Sequence, residues 1–230
     1  MEVKNKHIFI TGTDTGVGKS IVTAFLALSF VNEGKKVAIS KPIQTGPLKD
    51  TDFLKDLTKN KIPVFNTYDF LLPAAPVVAA KHENKEIEIE KIIFDIRKLE
   101  QEFDHVIVEG VGGIAVPIVR ACHGKPLLAD LVKDLNYPVI IVARPTLGTI
   151  NHTILTIEFA RQKGLNILGF VISGYDEKTN DPVIKTAPDI ISYITKTKCL
   201  FKFPFLKEIS CESLIKGIDT ERECVSIYSN

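Results

Sequence analysis

The sequence has almost no excess of either charge, no tryptophan, one methionine and few cysteines. Its 29 Lys and Arg against 28 Asp and Glu give a formal net charge of +1, which argues against nucleic acid or an anionic membrane as a partner. Any phosphate must therefore be bound by a few placed groups. The cysteines are Cys122, Cys199, Cys211 and Cys224. They form no C-x-x-C pair and no zinc-type spacing with histidine, so we expect free thiols in a reducing cytosol.

Long apolar runs are also missing. No stretch approaches the roughly 18 apolar residues of a membrane span. The first residues lack the charged, apolar and cleavage regions of a signal peptide. We therefore expect a cytoplasmic protein. A chain of 230 residues is an ordinary length for one α/β domain, so we predict a single domain over residues 1–230.

Short apolar runs alternate with longer segments of helical character. Strands are predicted at 7–11, 36–40, 105–108, 138–142 and 167–172. Helices are predicted at 20–31, 87–101 and 150–162. Residues 200–203 are either a sixth strand or a Phe-rich loop. Strands continuous in Val and Ile are buried on both faces, so the pattern predicts a mostly parallel sheet flanked by helices. Ligands of such sheets bind beyond the carboxyl ends of the strands.

The strongest motif lies at the first of these ends. Residues 12–20 read GTDTGVGKS, between a strand and an apolar helix. This is a P-loop with one more residue than usual between the first glycine and the Gly-Lys pair. Its backbone N–H groups and helix start favour an anion. We expect Lys19 to reach the β- and γ-phosphates of a nucleotide and the Ser20 hydroxyl to face Mg²⁺.

Two further strand ends carry charged side chains. Glu109 ends an apolar strand, the position of a second magnesium group in P-loop enzymes. Lys41 ends the second strand and would enter the same crevice as Lys19, where a second cation suits a transition state that spreads negative charge. Asp52 and Thr45 follow Lys41, but the residues alone leave a helix-start acid and a turn residue as open interpretations.

Four blocks together resemble the dethiobiotin synthetase family. They are GTDTGVGKS at 12–20, KPIQTG at 41–46, VEGVGG at 108–113 and LGTINH at 147–152. The KPIQTG and LGTINH blocks are the specific ones, because a P-loop alone occurs in many families. The order and spacing of the blocks agree with the family over roughly residues 7–207.

The resemblance implies a P-loop fold, a homodimer and an ATP- and Mg²⁺-dependent ligase of biotin synthesis. Its substrates are 7,8-diaminopelargonic acid, CO₂ and a nucleoside triphosphate. A carbamate forms on one amine, the γ-phosphoryl activates it as a mixed anhydride, and the second amine closes the cyclic urea.

The resemblance also implies residue roles. It gives charge stabilisation to Lys41 and Lys19, and metal ligation to Ser20, Asp52 and Glu109. It gives substrate contacts to Thr45, Gly113 and, from the partner subunit, Asn151. It implies nucleotide contacts for Thr15, Gly16, Val17, Gly18, Lys19, Ser20, Asp52, Glu109, Gly112, Ser173, Gly174, Pro204, Phe205 and Leu206.

This sequence departs from the family pattern at several positions. Gly16 stands where some members carry Glu, and the loop from Gly46 to Asp52 is shorter than in some members. Ser173-Gly174 stands where adenine-reading members place Asn-Asp. Because Ser offers one hydroxyl where Asn offers a paired donor and acceptor, we hypothesise weak discrimination among bases.

The main alternative is a partition or division-site ATPase, a switch rather than an enzyme that makes a product. Those proteins carry a signature lysine early in the phosphate loop. Asp14 occupies that position here, and Thr15 replaces the first glycine of their motif. The C-terminal end also lacks a convincing basic amphipathic membrane helix.

Overall fold

The computed structural model describes residues 6–120 and 124–220. Its main sheet has seven strands in the order β4-β2-β6-β1-β7-β8-β9, and every neighbouring pair is parallel. The strands are β1 His7–Gly12, β2 Val37–Ser40, β3 Ile43–Thr45, β4 Val64–Phe65, β5 Tyr68–Phe70, β6 His105–Gly113, β7 Val139–Ala143, β8 Ile167–Tyr175 and β9 Cys199–Pro204. The helices are α1 Lys19–Asn32, α2 Asp50–Leu57, α3 Pro76–His82, α4 Ile89–Glu102, α5 Leu128–Leu135, α6 Thr149–Gln162, α7 Pro182–Thr195 and α8 Cys211–Thr220. The predicted parallel α/β architecture is confirmed.

Alternate side chains of the central strand enter two separate cores. Ile8 and Ile10 pack on the face covered by α1 and α8, whereas Phe9 packs on the face covered by α4 and α5. All three are fully buried. Burial on both faces accounts for the unbroken apolar runs of these strands, because no position faces water.

The centre of the sheet positions the phosphate loop. β1 lies between β6 and β7, and the chain turns from β1 into α1 through the Gly-rich segment. Gly18 precedes α1 with φ +94°, a left-handed conformation that glycine adopts without steric cost. The start of α1 and the end of β6 therefore lie at the same edge of the sheet.

A small second sheet stands beside this edge and has no counterpart in the sequence prediction. β3 and β5 form a parallel pair in which Gln44 lies opposite Asp69 and Thr45 opposite Phe70. Short strands of this kind leave too few residues for a recognisable period. β3 leads into α2, which thereby lies near the carboxyl ends of the main strands, where its Asp50 and Phe53 line one cavity with Lys41 and Glu109.

The open alternative at 200–203 is settled as a strand, since β9 pairs with β8. Of the predicted free thiols, Cys199 and Cys211 form no disulfide within the described residues, whereas Cys122 and Cys224 lie outside them. Among the helices that the structure describes, none has the length and apolar character needed to cross a membrane.

Candidate functional site

A cavity of about 640 Å³ opens at the carboxyl ends of β1, β2 and β6. Predicted site residues line it from three separate parts of the chain, as the parallel topology requires. They are Thr15, Gly16, Gly18, Lys19, Ser20, Lys41, Thr45, Glu109 and Gly112. Much of the opposite wall is apolar and includes Ile21, Phe53, Val111, Val116 and the Pro73–Pro76 turn. One end of the cavity is thus polar and charged, and much of the rest is apolar.

A buried ion cluster lies at the polar end. The Lys41 Nζ is 2.8 Å from Glu109 Oε1, and both side chains are 1% exposed. The same ammonium is 2.6 Å from Asp50 Oδ2 and donates to the Gly110 carbonyl at 3.1 Å. Burial alone would lower the pKa of Lys41, but the Glu109 and Asp50 carboxylates outweigh burial and raise it. Lys41 is therefore a permanent cation.

These contacts provide hydrogen bonds to only one of the two carboxylate oxygens of Glu109. Its Oε1 accepts from Lys41 and, at 2.9 Å, from the Ser20 hydroxyl. Its Oε2 is buried and has no hydrogen-bond partner in the part of the chain that the structure describes. A buried carboxylate oxygen without a partner is costly, so a ligand that supplies positive charge there would stabilise the site.

These donors suit Mg²⁺. Carboxylate and hydroxyl oxygens are the hard ligands that Mg²⁺ prefers, and the ion usually takes one or two carboxylates with water and substrate phosphates. Among residues 6–120 and 124–220, no group of three or more His, Cys, Asp or Glu side chains could form a complete protein cage for a metal. An ion held by Glu109 and its oxygen-bearing neighbours would thus take water and phosphate oxygens as its remaining ligands.

Lys19 opens α1 and is 7% exposed. Its Nζ donates to the Asp14 carbonyl at 2.9 Å. Burial first, and the neighbouring Lys41 ammonium second, lower the pKa of Lys19 from 10.5 to about 8. An anion between the two lysines would relieve this repulsion and restore the ordinary pKa.

Asp52 is not at the cavity. It lies on the outer side of α2, its side chain is 71% exposed, and its nearest cation is Lys55 at 3.7 Å. Asp50, two residues earlier, lines the cavity and pairs with Lys41. The structure therefore brings Asp50, rather than the acid chosen from the sequence, to the ion cluster.

The residues expected at the nucleotide base lie outside this cavity, and one of them, Ser173, contacts the phosphate loop. A Cβ added at Gly18 would be 2.3 Å from Ser173 Oγ, so the serine packs directly against the loop. Ser173 is 7% exposed, and Gly174 follows it with φ +82°. Neighbouring β9 leads into the other three, Pro204, Phe205 and Leu206. Of these, Phe205 is 69% exposed and donates its N–H to the Tyr175 carbonyl.

Three other expected residues also lie outside the cavity. Val17 is buried in the core, where its side chain touches Gly12. Gly113 lies in a neighbouring groove with Thr13 and Asp14. Asn151 lies in the first turn of α6 and is exposed to solvent.

For Arg144 the sequence leaves two interpretations open, a contact with a carboxylate or phosphate and an ordinary surface or interface position. Arg144 follows β7 and pairs with Asp14 of the phosphate loop at 2.9 Å. The Asp14 carboxylate also accepts from the Thr15 N–H at 2.7 Å. Arg144 thus supports the phosphate loop from the adjacent strand, and its place at a strand end was the signal for it.

Solved structures share this fold at low sequence identity. A ParA family ATPase from Chlorobium tepidum TLS superposes with a TM-score of 0.61 over 99% of each chain, at 14% identity. Such a likeness shows the fold alone.

Sequence comparison is more specific. An AAA domain family model matches residues 6–213. The ATP-dependent dethiobiotin synthetase BioD of Thermodesulfovibrio yellowstonii is 37% identical in an alignment that covers 93% of this chain and 96% of the relative. The ATP-dependent dethiobiotin synthetase BioD of Methanococcus vannielii is 44% identical over 168 residues, which cover 72% of this chain and 78% of the relative. The chain therefore belongs to the dethiobiotin synthetase family.

Proposed function

We propose that the chain is an ATP- and Mg²⁺-dependent dethiobiotin synthetase. In this reaction 7,8-diaminopelargonic acid and CO₂ give a carbamate on one amine, and the carbamate oxygen attacks the γ-phosphorus of ATP. ADP leaves, the second amine attacks the carbamoyl carbon, and phosphate departs as the cyclic urea closes. The observation that carries the proposal is the cavity that holds Lys19, Lys41 and Glu109 together beside an apolar wall.

The charged end of the cavity suits phosphoryl transfer. Lys19 would bind the β- and γ-phosphates, and Lys41 would neutralise the carbamate and the transferring oxygens. Glu109, Ser20 and Asp50 would hold Mg²⁺, whose charge offsets that of the phosphates. Lys41 is already fixed by two carboxylates and a carbonyl, so it needs little reorganisation during the reaction.

The remainder of the cavity suits the diamine. Thr45 supplies a hydroxyl at the border between the polar and apolar parts. The wall formed by Phe53, Val116 and the Pro73–Pro76 turn would cover a methylene chain. The polar ends of such a substrate would then face the lysines and the solvent.

A second copy of the chain would complete the substrate site. Asn151 is exposed on α6, outside the cavity of its own chain. On the same helix Leu155 is 60% exposed, and Leu147 in the preceding loop is 87% exposed. Exposed leucines around an exposed amide fit an interface between copies better than a free surface. We therefore propose a homodimer in which Asn151 of each copy reaches the substrate of the other.

The test is phosphate release from ATP, Mg²⁺ and bicarbonate, with and without the diamine, with the product identified by mass. The reaction labelled with ¹⁸O in the CO₂ is expected to leave one labelled oxygen in the released phosphate, because the carbamate oxygen is transferred with phosphorus. Phosphate without label would contradict the mixed anhydride. Hydrolysis that is independent of the diamine would favour a switch ATPase instead.

A further inference from the structure

We propose that Lys49 is a positioning residue that holds Asp50 in the ion cluster. The proposal rests on the function proposed above. Lys49 immediately precedes α2 and lies in a surface loop, yet its side chain is only 18% exposed. Its ammonium points back into the protein and pairs with the Asp69 carboxylate. A lysine in a solvated loop would ordinarily extend its ammonium into water.

The contacts of Lys49 use every donor of the ammonium. Its Nζ donates to the Gly46 carbonyl at 3.0 Å, to the Phe70 carbonyl at 3.3 Å and to Asp69. A lysine has three donors and no acceptor, so none is left over. The loop from Gly46 to Lys49 is thereby closed onto β5, the second strand of the small sheet.

The next turn of the chain is held in the same way. Gln44 on β3 is 4% exposed, and its Oε1 accepts the Thr51 N–H at 3.2 Å. Gly46 also donates its N–H to the Phe70 carbonyl at 3.0 Å. The start of α2 is therefore fixed on both sides of Asp50, by Lys49 before it and by Thr51 after it.

This arrangement decides which acid faces Lys41. The Asp50 carboxylate is 45% exposed, so burial alone does not hold it at the 2.6 Å contact. A small rotation of the first helical turn would carry it into solvent. By fixing the loop to β5, Lys49 keeps Asp50 ready to meet Mg²⁺ without touching the ion itself, a role comparable to the outer groups that orient metal ligands.

The test is the Mg²⁺ dependence of ADP binding, measured by calorimetry on the full chain. Lys49→Met keeps the length of the side chain and removes its donors. We expect the half-saturating Mg²⁺ concentration to rise about 10-fold or more, the usual range for groups that orient metal ligands. Turnover at saturating Mg²⁺ should change much less, because the chemistry of the cavity is intact.

Matched variants separate positioning from stability. Asp69→Asn removes the negative charge that pairs with Lys49 but keeps a side-chain oxygen, so it should give a smaller shift in the same direction. The double variant should resemble Lys49→Met alone, since the Asp69 change acts only on an ion pair that Lys49→Met has already removed. Lys55→Met is the control, because Lys55 lies on the same helix and pairs with the exposed Asp52. It should leave the Mg²⁺ dependence unchanged.

Two results would overturn the inference. One is an unchanged Mg²⁺ dependence in Lys49→Met. The other is a lower melting temperature and lower turnover with no shift in half-saturation, the mark of a merely structural lysine. If Lys49→Met does not fold, Asp69→Asn decides the question alone. A wild-type chain that binds ADP with Mg²⁺ but makes no dethiobiotin would contradict the proposed reaction. The Mg²⁺ dependence of ADP binding would still decide the role of Lys49.

Discussion

Replacement of Asp50 by Asn should reduce activity strongly, whereas the same change at Asp52 should not. Asp50→Asn preserves the shape of the side chain but removes the carboxylate 2.6 Å from the Lys41 Nζ. Asp52→Asn removes an acid two residues away on the same helix, which is 71% exposed and pairs with Lys55 at 3.7 Å. The pair is thus internally matched in chemistry and location.

The expected magnitudes follow from exposure and charge. A hydrogen bond to a charged group contributes about 1.5–3 kcal/mol, which corresponds to roughly 10- to 150-fold in kcat/KM if it acts in the transition state. The cost to folding should be smaller, about 1 kcal/mol or less, since Asp50 is 45% exposed and Lys41 keeps Glu109 as a partner. An exposed i,i+3 pair contributes about 0.2–0.5 kcal/mol, so Asp52→Asn should change activity by about twofold or less.

The assay is diamine-dependent phosphate release over a range of Mg²⁺ concentrations, with thermal unfolding of both variants as a check on folding. The Asp50 variant should need more Mg²⁺ and turn over more slowly. A larger loss in Asp52→Asn than in Asp50→Asn would refute the placement of α2. It would show that the first turn of the helix rearranges when nucleotide binds.

Three further predictions concern protonation and the base. Because the pKa of Lys19 is about 8, its ammonium loses its proton as the pH rises above 8. The affinity for ADP, measured by calorimetry, should fall about fivefold from pH 8 to 9, and the fall should approach tenfold for a further pH unit. An affinity that stays constant to pH 10 would contradict this prediction. Burial lowers the pKa of His105, which stacks on Phe30, so its contribution to the free energy of unfolding is present above about pH 6.5 and lost at lower pH. Urea titrations should show that the free energy of unfolding falls less from pH 7.5 to pH 5.5 in His105→Phe than in wild type, and equal falls would contradict this. Since Ser173 packs against Gly18, kcat/KM for ATP, GTP and CTP should agree within about tenfold, that is, within about 1.4 kcal/mol; a strong ATP preference would refute weak base discrimination.

The phosphate loop, Lys41 and Glu109 could be predicted from the sequence because each follows its own buried strand. Parallel topology then brings all such strand ends to one edge, whatever the details of the loops. Residues from the blocks at 12–20, 41–46 and 108–113 line one cavity there. Local pattern was sufficient wherever the side chain belongs to the end of a long strand.

The choice between Asp50 and Asp52 could not be made in this way. It depends on the contacts of Lys49 with Asp69 and Phe70, twenty residues further along the chain. The strands that carry those contacts have three residues each and no visible period. The family resemblance likewise implied Asp52, which the structure places on the exposed side of the first turn of α2.

Other elements were missed because local signals contradict the fold. Pro188 lies inside α7, where proline ordinarily interrupts a helix. Packing of Ala187 and Ile191 against the sheet outweighs that preference. The contribution of Asn151 is a property of two chains, so one chain neither predicts nor displays it.

The central claim is that this cavity couples cleavage of ATP to closure of a cyclic urea. Its most direct test is the ratio of phosphate to dethiobiotin formed from ATP, Mg²⁺, bicarbonate and 7,8-diaminopelargonic acid, for wild type and Glu109→Gln. The account predicts a ratio of about one for wild type, with both products lost together in the variant, because one phosphoryl group activates one carbamate. Phosphate release without dethiobiotin, or a variant that retains wild-type rates, would contradict it.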